Sequence, residues 1–278
     1  MDLYITIGLN MLSSISILFL LAIGLFIIFG LMGIVNLAHG EFVMLGAFTA
    51  VVAGKAGLNP WLSLILAPIV LGIFSMIVEK FLIRHLYGKI MESILATVGF
   101  SIILIKVTEW LFGKGYQPIN APVNSTISLM GADYPLYRIL IILISILIGV
   151  LILIIERKTN IGFTIRAVIE NPSLASTLGV NVNKVYQLTF IFGGAMAGFA
   201  GALIAPLVSV YPAMGFNYVI DGFLAVLLGG AGIVGLVGST ALLGGSNSFI
   251  SYLLDPIWGS IAVVVITIIT MRLRHANE

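Results

Sequence analysis

The chain has 278 residues, of which 60% are hydrophobic and only 9% charged, with a net charge of +2 and a mean hydropathy of +1.19. Soluble domains carry about 25% charged residues, so this composition cannot cover a water-exposed surface and lipid must be the solvent. The absence of cysteine removes disulfides, thiolate metal sites and thiol nucleophiles, and His39, His85 and His275 are too scattered for a ligand cluster, so no metal and no cofactor is expected. The small net charge comes from connector lysines and arginines and implies no nucleic-acid partner.

Inside a bilayer every backbone N–H and C=O must be satisfied within the protein, which leaves helices or a closed barrel. Barrel strands would alternate apolar and polar residues over about ten positions. The sequence instead offers unbroken apolar runs, such as Ile15 to Phe29 and Ile139 to Ile155, suited to the roughly 20 residues of a spanning helix. The expected fold is all-α: one polytopic transmembrane domain over 1–278. In chain order the spans are expected at about 5–29, 42–54, 61–83, 93–112, 135–155, 185–206 and 217–237. Two shorter runs, 239–254 and 257–271, are divided by Asp255 and Pro256 and form two short spans or one broken hairpin, for a total of about eight spans within one. The first run lacks the basic region and cleavage pattern of a signal peptide and is expected to remain as a span.

Lysine and arginine gather in the connector with Lys80, Arg84 and Lys89, in the one with Arg157, Lys158, Arg166 and Lys184, and at Arg272 and Arg274, which assigns these to the cytoplasm. The connector from Gly113 to Tyr134 then lies outside, as does the N-terminus. That orientation favours an odd number of spans and conflicts with eight.

Between Gly30 and Glu41, three glycines (Gly30, Gly33, Gly40), Asn36, His39 and Glu41 interrupt an apolar stretch. Ionisable residues in a span are costly and face protein or a watery cavity, and a broken helix lining a transport pathway has this composition. The alternative is a polar loop with Glu41 stabilising the next helix N-terminus, and the two readings are compatible. A second glycine-rich break spans Gly229, Gly230 and Gly232. It can be laid over the first, and if the two are repeats both breaks meet near the midplane, in re-entrant-like helices. Thr97 and Ser101 share one helix face and suit either close helix packing or solute contact. Tyr218 and Asp221 precede the second break and bring polarity to the pathway.

The connector 156–184 is expected to fold. Thr159 or Asn160 can cap a helix running to about Glu170, Asn171 and Pro172 start a second, and Gly179 ends it in the left-handed conformation. Arg166, Glu170 and Asn171 face outward in this reading, with Ile161, Ile165, Val168 and Ile169 supplying apolar contact. The pair either rests on lipid or docks another subunit.

Asn36-Leu37-Ala38-His39-Gly40-Glu41, Leu95-Ala96-Thr97-Val98-Gly99-Phe100-Ser101, the connector stretches Gly162 to Ala167 and Asn171 to Asn181, and Leu228-Gly229-Gly230-Ala231-Gly232 occur in that order. Over essentially its whole length the chain resembles the permeases of the branched-chain amino acid and urea group of bacterial ABC importers. The resemblance implies a multi-pass inner-membrane permease for a small polar solute. It implies as partners a second homologous permease, two ATP-binding cassette ATPase subunits and a periplasmic or extracellular solute-binding protein. It makes Arg166, Ala167, Glu170, Asn171 and Gly179 part of a coupling helix pair seated on the ATPase. Phe29 to Gly33, Tyr218 to Phe223, and Asp255-Pro256 with Gly259 look more like the urea branch, with branched-chain amino acids as the alternative substrate.

An enzyme is disfavoured, since no His-Glu-x-x-His or Gly-x-Ser-x-Gly occurs. A passive channel is the rival of another class, because the chain has no phosphate-binding loop of its own. A folded cytoplasmic docking element argues against it.

Overall fold

The first apolar stretch contains no proline and forms one uninterrupted helix, α1 (Asp2–Met32), about 46 Å long at 1.5 Å per residue. Gly30, expected to break this stretch, continues the helix. The break begins at Gly33, whose φ of +61° is a conformation glycine adopts without steric cost. The computed structural model describes residues 2–129, 131–230 and 232–275. After the loop 33–38 come α2 (His39–Lys55), α3 (Pro60–Phe81) and α4 (Ile90–Phe112). The hairpin β1 (Thr126–Leu129) and β2 (Ala132–Pro135) leads to α5 (Leu136–Lys158) and the short α6 (Asn160–Glu170) and α7 (Pro172–Thr177). The chain closes with α8 (Val182–Ile204), α9 (Gly215–Gly229), α10 (Ile233–Leu253) and α11 (Pro256–His275). The architecture is the expected all-α polytopic bundle, with one small antiparallel hairpin outside it.

Among the described residues seven helices, α1, α3, α4, α5, α8, α10 and α11, are long and apolar enough to cross a membrane. With 17 and 15 residues, α2 and α9 are shorter. The span expected at 217–237 is in fact two pieces: α9 stops at Gly229, Gly230 turns with φ +68°, and Ile233 already belongs to α10, which takes in the run expected at 239–254. Hydropathy alone could not see this turn because both of its flanks are apolar.

Contacts fix which helix ends lie together. At one end Gln187 near the start of α8 donates to Glu79 near the end of α3, and α6 packs against α1. At the other, Tyr134 donates to Asn10 on α1, and Gln117 pairs with Val210. The first end carries the lysine and arginine clusters and is therefore cytoplasmic. The start of α1 lies at the opposite end, as expected for an outside N-terminus. The chain from Met32 to Pro60 returns through α2, and that from Val210 to Ile233 descends through α9. Among the described residues, seven long helices and two short ones thus alternate in direction between the two ends, nine in all. The odd number removes the conflict between orientation and the count of eight.

The bundle is held at its centre by backbone-to-backbone crossings. A Cβ on Gly24 of α1 would lie 2.6 Å from the Gly193 carbonyl oxygen of α8, and one on Gly193 would lie 2.9 Å from that of Gly24. Gly46 of α2 meets Gly198 of α8, and Gly201 of α8 meets the Val43 carbonyl and Ala47 nitrogen of α2. Lipid supplies little hydrophobic drive between helices, so association rests on such close approach. Around this centre, α4, α5 and α11 turn Leu95, Trp110, Leu143, Leu147, Ile257 and Ile268 outward as lipid-facing surface.

Gly201→Ala would press a methyl into α2 and should cost about 1–3 kcal/mol, as overpacking does. Gly99→Ala, on α4 with open space where the Cβ would stand, should be neutral or slightly stabilising. Thermal unfolding in detergent compares them; equal melting temperatures would contradict the crossing.

Candidate functional site

His39 opens α2 with its ring against Gly24 of α1, beside Gly193, which lies halfway along α8. The short helix α2 therefore begins in the membrane interior and runs outward. At the same depth α9 begins and runs inward, its Phe223 packing edge-on against Phe29 near the cytoplasmic end of α1 at 5.8 Å. The two N-termini touch. A Cβ on Gly215 would fall 2.5 Å from both the Gly40 carbonyl oxygen and Glu41 Oε2, and Gly40 is packed as closely on Gly215. The mid-depth partner of the first break is thus the start of α9. The Gly229, Gly230 and Gly232 turn sits toward the cytoplasmic end, where Gly229 packs on Leu236 of α10, so the expected meeting of two repeated breaks at the midplane does not occur.

A polar cluster surrounds this crossing. Asn36, His39, Glu41 and Thr97 are all buried within the chain, none more than 2% exposed. Asn36 Oδ1 accepts from the Ala38 N–H (3.1 Å), folding the break into a turn just before α2. Thr97 Oγ1 accepts from the Leu37 N–H (3.2 Å) and donates to the Ser93 carbonyl (2.7 Å), so α4 holds the break from one side. Ser101, one turn further along α4, donates to Glu41 Oε1 (3.0 Å). Glu41 lies in the first turn of α2, where the helix dipole favours a carboxylate, although its recorded partner is Ser101 and the N-cap Ala38 makes no side-chain cap bond. Glu41 Oε2, both His39 ring nitrogens and Asn36 Nδ2 have no hydrogen-bond partner among the described residues. Leaving a buried polar group unpaired costs about 1–3 kcal/mol, so the crossing is a costly place to hold these side chains and their partners matter to its stability.

Tyr218 and Asp221 are one turn apart on α9 but do not join this cluster. They are half-buried, beside exposed Phe216, Asn217 and Ile220 on the open side of the helix. Asn217 Nδ2 reaches the Tyr211 hydroxyl (3.5 Å), and the Tyr211 ring packs edge-on against exposed Tyr116 at 5.2 Å. A polar and aromatic track therefore leads from the outer rim down to α9. Sequence reasoning missed Gly215 and Asn217, whose only signal was a polar residue in a helix that cannot face lipid.

On the cytoplasmic side, Thr159 caps α6 by accepting from Gly162 N (3.4 Å), Asn171 caps α7 by accepting from Leu174 N (2.9 Å), Pro172 takes the first helical position, and Gly179 has φ +90°. Arg166, Ala167, Glu170 and Asn171 are exposed, and the Arg166 guanidinium lies 4.9 Å from the Phe163 ring centre. Of the expected apolar contacts only Val168 is fully buried and Ile165 half-buried. Ile161 and Ile169 are exposed instead, beside Phe163, Leu174 and Leu178, because the helix has one narrow inward stripe.

Residues 7–271 match the family described as the permease component of branched-chain amino acid transport systems. This chain belongs to that family. It is 31% identical over 281 residues to the probable branched-chain amino acid transport permease protein LivH of Methanocaldococcus jannaschii, covering 94% of this chain and 86% of that one. With the high-affinity branched-chain amino acid transport system permease protein BraD of Pseudomonas aeruginosa it shares 29% identity, over 83% of this chain and 80% of BraD. A chain of PsaBC from Streptococcus pneumoniae, solved in complex with a Fab, aligns with a TM-score of 0.54 at 14% identity over 94% of this chain and 89% of that one, a likeness of fold. This branched-chain permease family member is a multi-pass protein of the inner membrane. One of the stretches that leaned toward urea has a structural use: the Asp255 backbone carbonyl accepts the Trp258 and Gly259 N–H groups as α11 starts, and Gly259 packs on Ser251 and Asn247 of α10.

Ser101→Ala removes the hydroxyl that serves Glu41 and should destabilise the purified permease by about 1–3 kcal/mol. A melting temperature equal to the parent's would show that Glu41 does not depend on α4.

Proposed function

We propose that this chain is one of two permease subunits in an ABC importer of branched-chain amino acids. It would work with a second, homologous permease, two ATP-binding cassette ATPases and a solute-binding protein that delivers from outside. The observation that carries this is the family match over 7–271, together with relatives whose names give branched-chain amino acid transport. Branched-chain amino acids are preferred to urea because none of the relatives named above carries urea in its name.

The two polar groups have different tasks in this reading. Asn36, His39, Glu41 and Thr97 hold the crossing of α2 and α9 from within. The translocation pathway runs beside the open face of α9, along Tyr116, Tyr211, Asn217, Tyr218 and Asp221. A short helix that starts in the membrane interior and exposes Asn217 there cannot face lipid, so the second permease covers it and the pathway lies between the two. The chemistry suits the solute: the Asp221 carboxylate can pair with an ammonium group, while Phe216, Ile220 and the tyrosine rings take a branched apolar side chain. The exposed Arg166, Ala167, Glu170 and Asn171, with Phe163, Leu174 and Leu178 around them and Gly179 closing α7, form the surface that docks the ATPase within the connector 156–184.

The complex in proteoliposomes decides this. Binding protein loaded with leucine should stimulate ATP hydrolysis and drive leucine uptake, and urea should do neither. Stimulation by urea, or uptake by this chain without nucleotide and ATPase, would overturn the reading.

A further inference from the structure

The cytoplasmic end of α3 carries a carboxylate where the helix dipole disfavours one. Glu79, third from the end of α3, is fully buried and still ionic in its bonding. Arg84 reaches it through Nε (3.1 Å) and Nη2 (3.2 Å), one to each carboxylate oxygen. The Tyr87 hydroxyl donates to Oε1 at 2.6 Å, and Gln187 Nε2 donates to Oε2 at 3.0 Å. Burial, and then the hydrogen bond to Glu79, raise the Tyr87 phenol above its usual range, which keeps it a proton donor. Tyr186, the neighbour of Gln187, packs edge-on against the Tyr87 ring at 5.0 Å.

These bonds join three segments: the end of α3, the turn leading into α4, and the first turns of α8, which follow the α6 and α7 pair. Val168 of α6 and Ala175 of α7 are buried in the same apolar cluster as Val78, Ile83 and Tyr87. Further along, in the first half and at the middle of the helix, α4 carries Thr97 and Ser101, which grip Leu37 and Glu41 at the crossing.

We propose that Glu79 is a positioning residue that ties the cytoplasmic helix pair to α4, so that displacement of α6 and α7 reaches the Asn36 to Glu41 break through Gln187, Glu79, Tyr87 and then Thr97 and Ser101. This rests on the importer reading, in which an ATPase moves α6 and α7. The linkage consists of hydrogen bonds and packed rings from Gln187 to Tyr87 and of the α4 helix itself from there to Thr97 and Ser101, and none of its cytoplasmic members touches the proposed solute track.

The test uses the complete importer in proteoliposomes and compares Glu79→Gln with Tyr87→Phe, which deletes one hydroxyl and keeps the ring contact with Tyr186. Both complexes should assemble and hydrolyse ATP at the parent's basal rate. Stimulation by leucine-loaded binding protein should fall by roughly tenfold in Glu79→Gln and by roughly fivefold in Tyr87→Phe, the range expected for a coupling free energy. A purely structural role would lower basal and stimulated hydrolysis together through loss of assembled complex. Parent-like stimulation in both variants overturns the proposal. So does failure of Glu79→Gln to assemble if Tyr87→Phe is stimulated like the parent. If instead the parent complex shows no stimulation by leucine-loaded binding protein, the importer reading fails and the failure is not that of Glu79.

Discussion

Everything in this fold hangs on how closely two backbones can approach where α2 and α9 begin. Gly40 and Gly215 let the two helix ends touch without side chains between them, and that contact puts both N-termini, with their positive dipole ends, beside the Glu41 carboxylate. Any Cβ at either position would separate the ends and open the cluster around Asn36, His39 and Glu41. The glycine pairs of α1 with α8 and of α2 with α8 extend the same device along the bundle, where lipid gives little reason for helices to associate.

Two short helices starting at one depth and running in opposite directions are an economical way to bring polar groups into a membrane. Their first residues, His39, Gly40 and Gly215, are buried in protein, and one helix, α9, keeps an open side on which Asn217 and Asp221 occur. The outward surface is therefore uneven: large apolar side chains on α4, α5 and α11, and a mix of polar and apolar ones along α9 and the outer loops that reach it. On the proposed function this asymmetry separates the lipid face from the face shared with a second permease.

What could be read from sequence was what is encoded locally. Thr159, Asn171, Pro172 and Gly179 define α6 and α7 because each acts within three residues of itself, and the spans follow from unbroken apolar runs. The glycines of the second break mark the turn at Gly230 and apolar runs mark α2 and α9, but hydropathy alone carries one span across that turn to 237, because both of its flanks are as apolar as a helix interior. The composition of the break was legible, but its geometry was not. Ser101 meets Glu41 across 60 residues of sequence and Gln187 meets Glu79 across 108, and nothing near either residue announces its partner. Polarity in a span signals a site; which polar residues face protein and which face the pathway is decided by packing.

That division of labour between the crossing and α9 is the central claim, and the absence of native cysteine allows it to be measured directly. Single cysteines at 217, 218 and 221, and at 36, 39 and 41, would be exposed in the assembled complex to a membrane-impermeant, water-borne thiol reagent. The account predicts labelling at the three α9 positions, changing with nucleotide state, and protection at 36, 39 and 41 throughout the cycle. Labelling at 36, 39 and 41 with protection along α9 would contradict it.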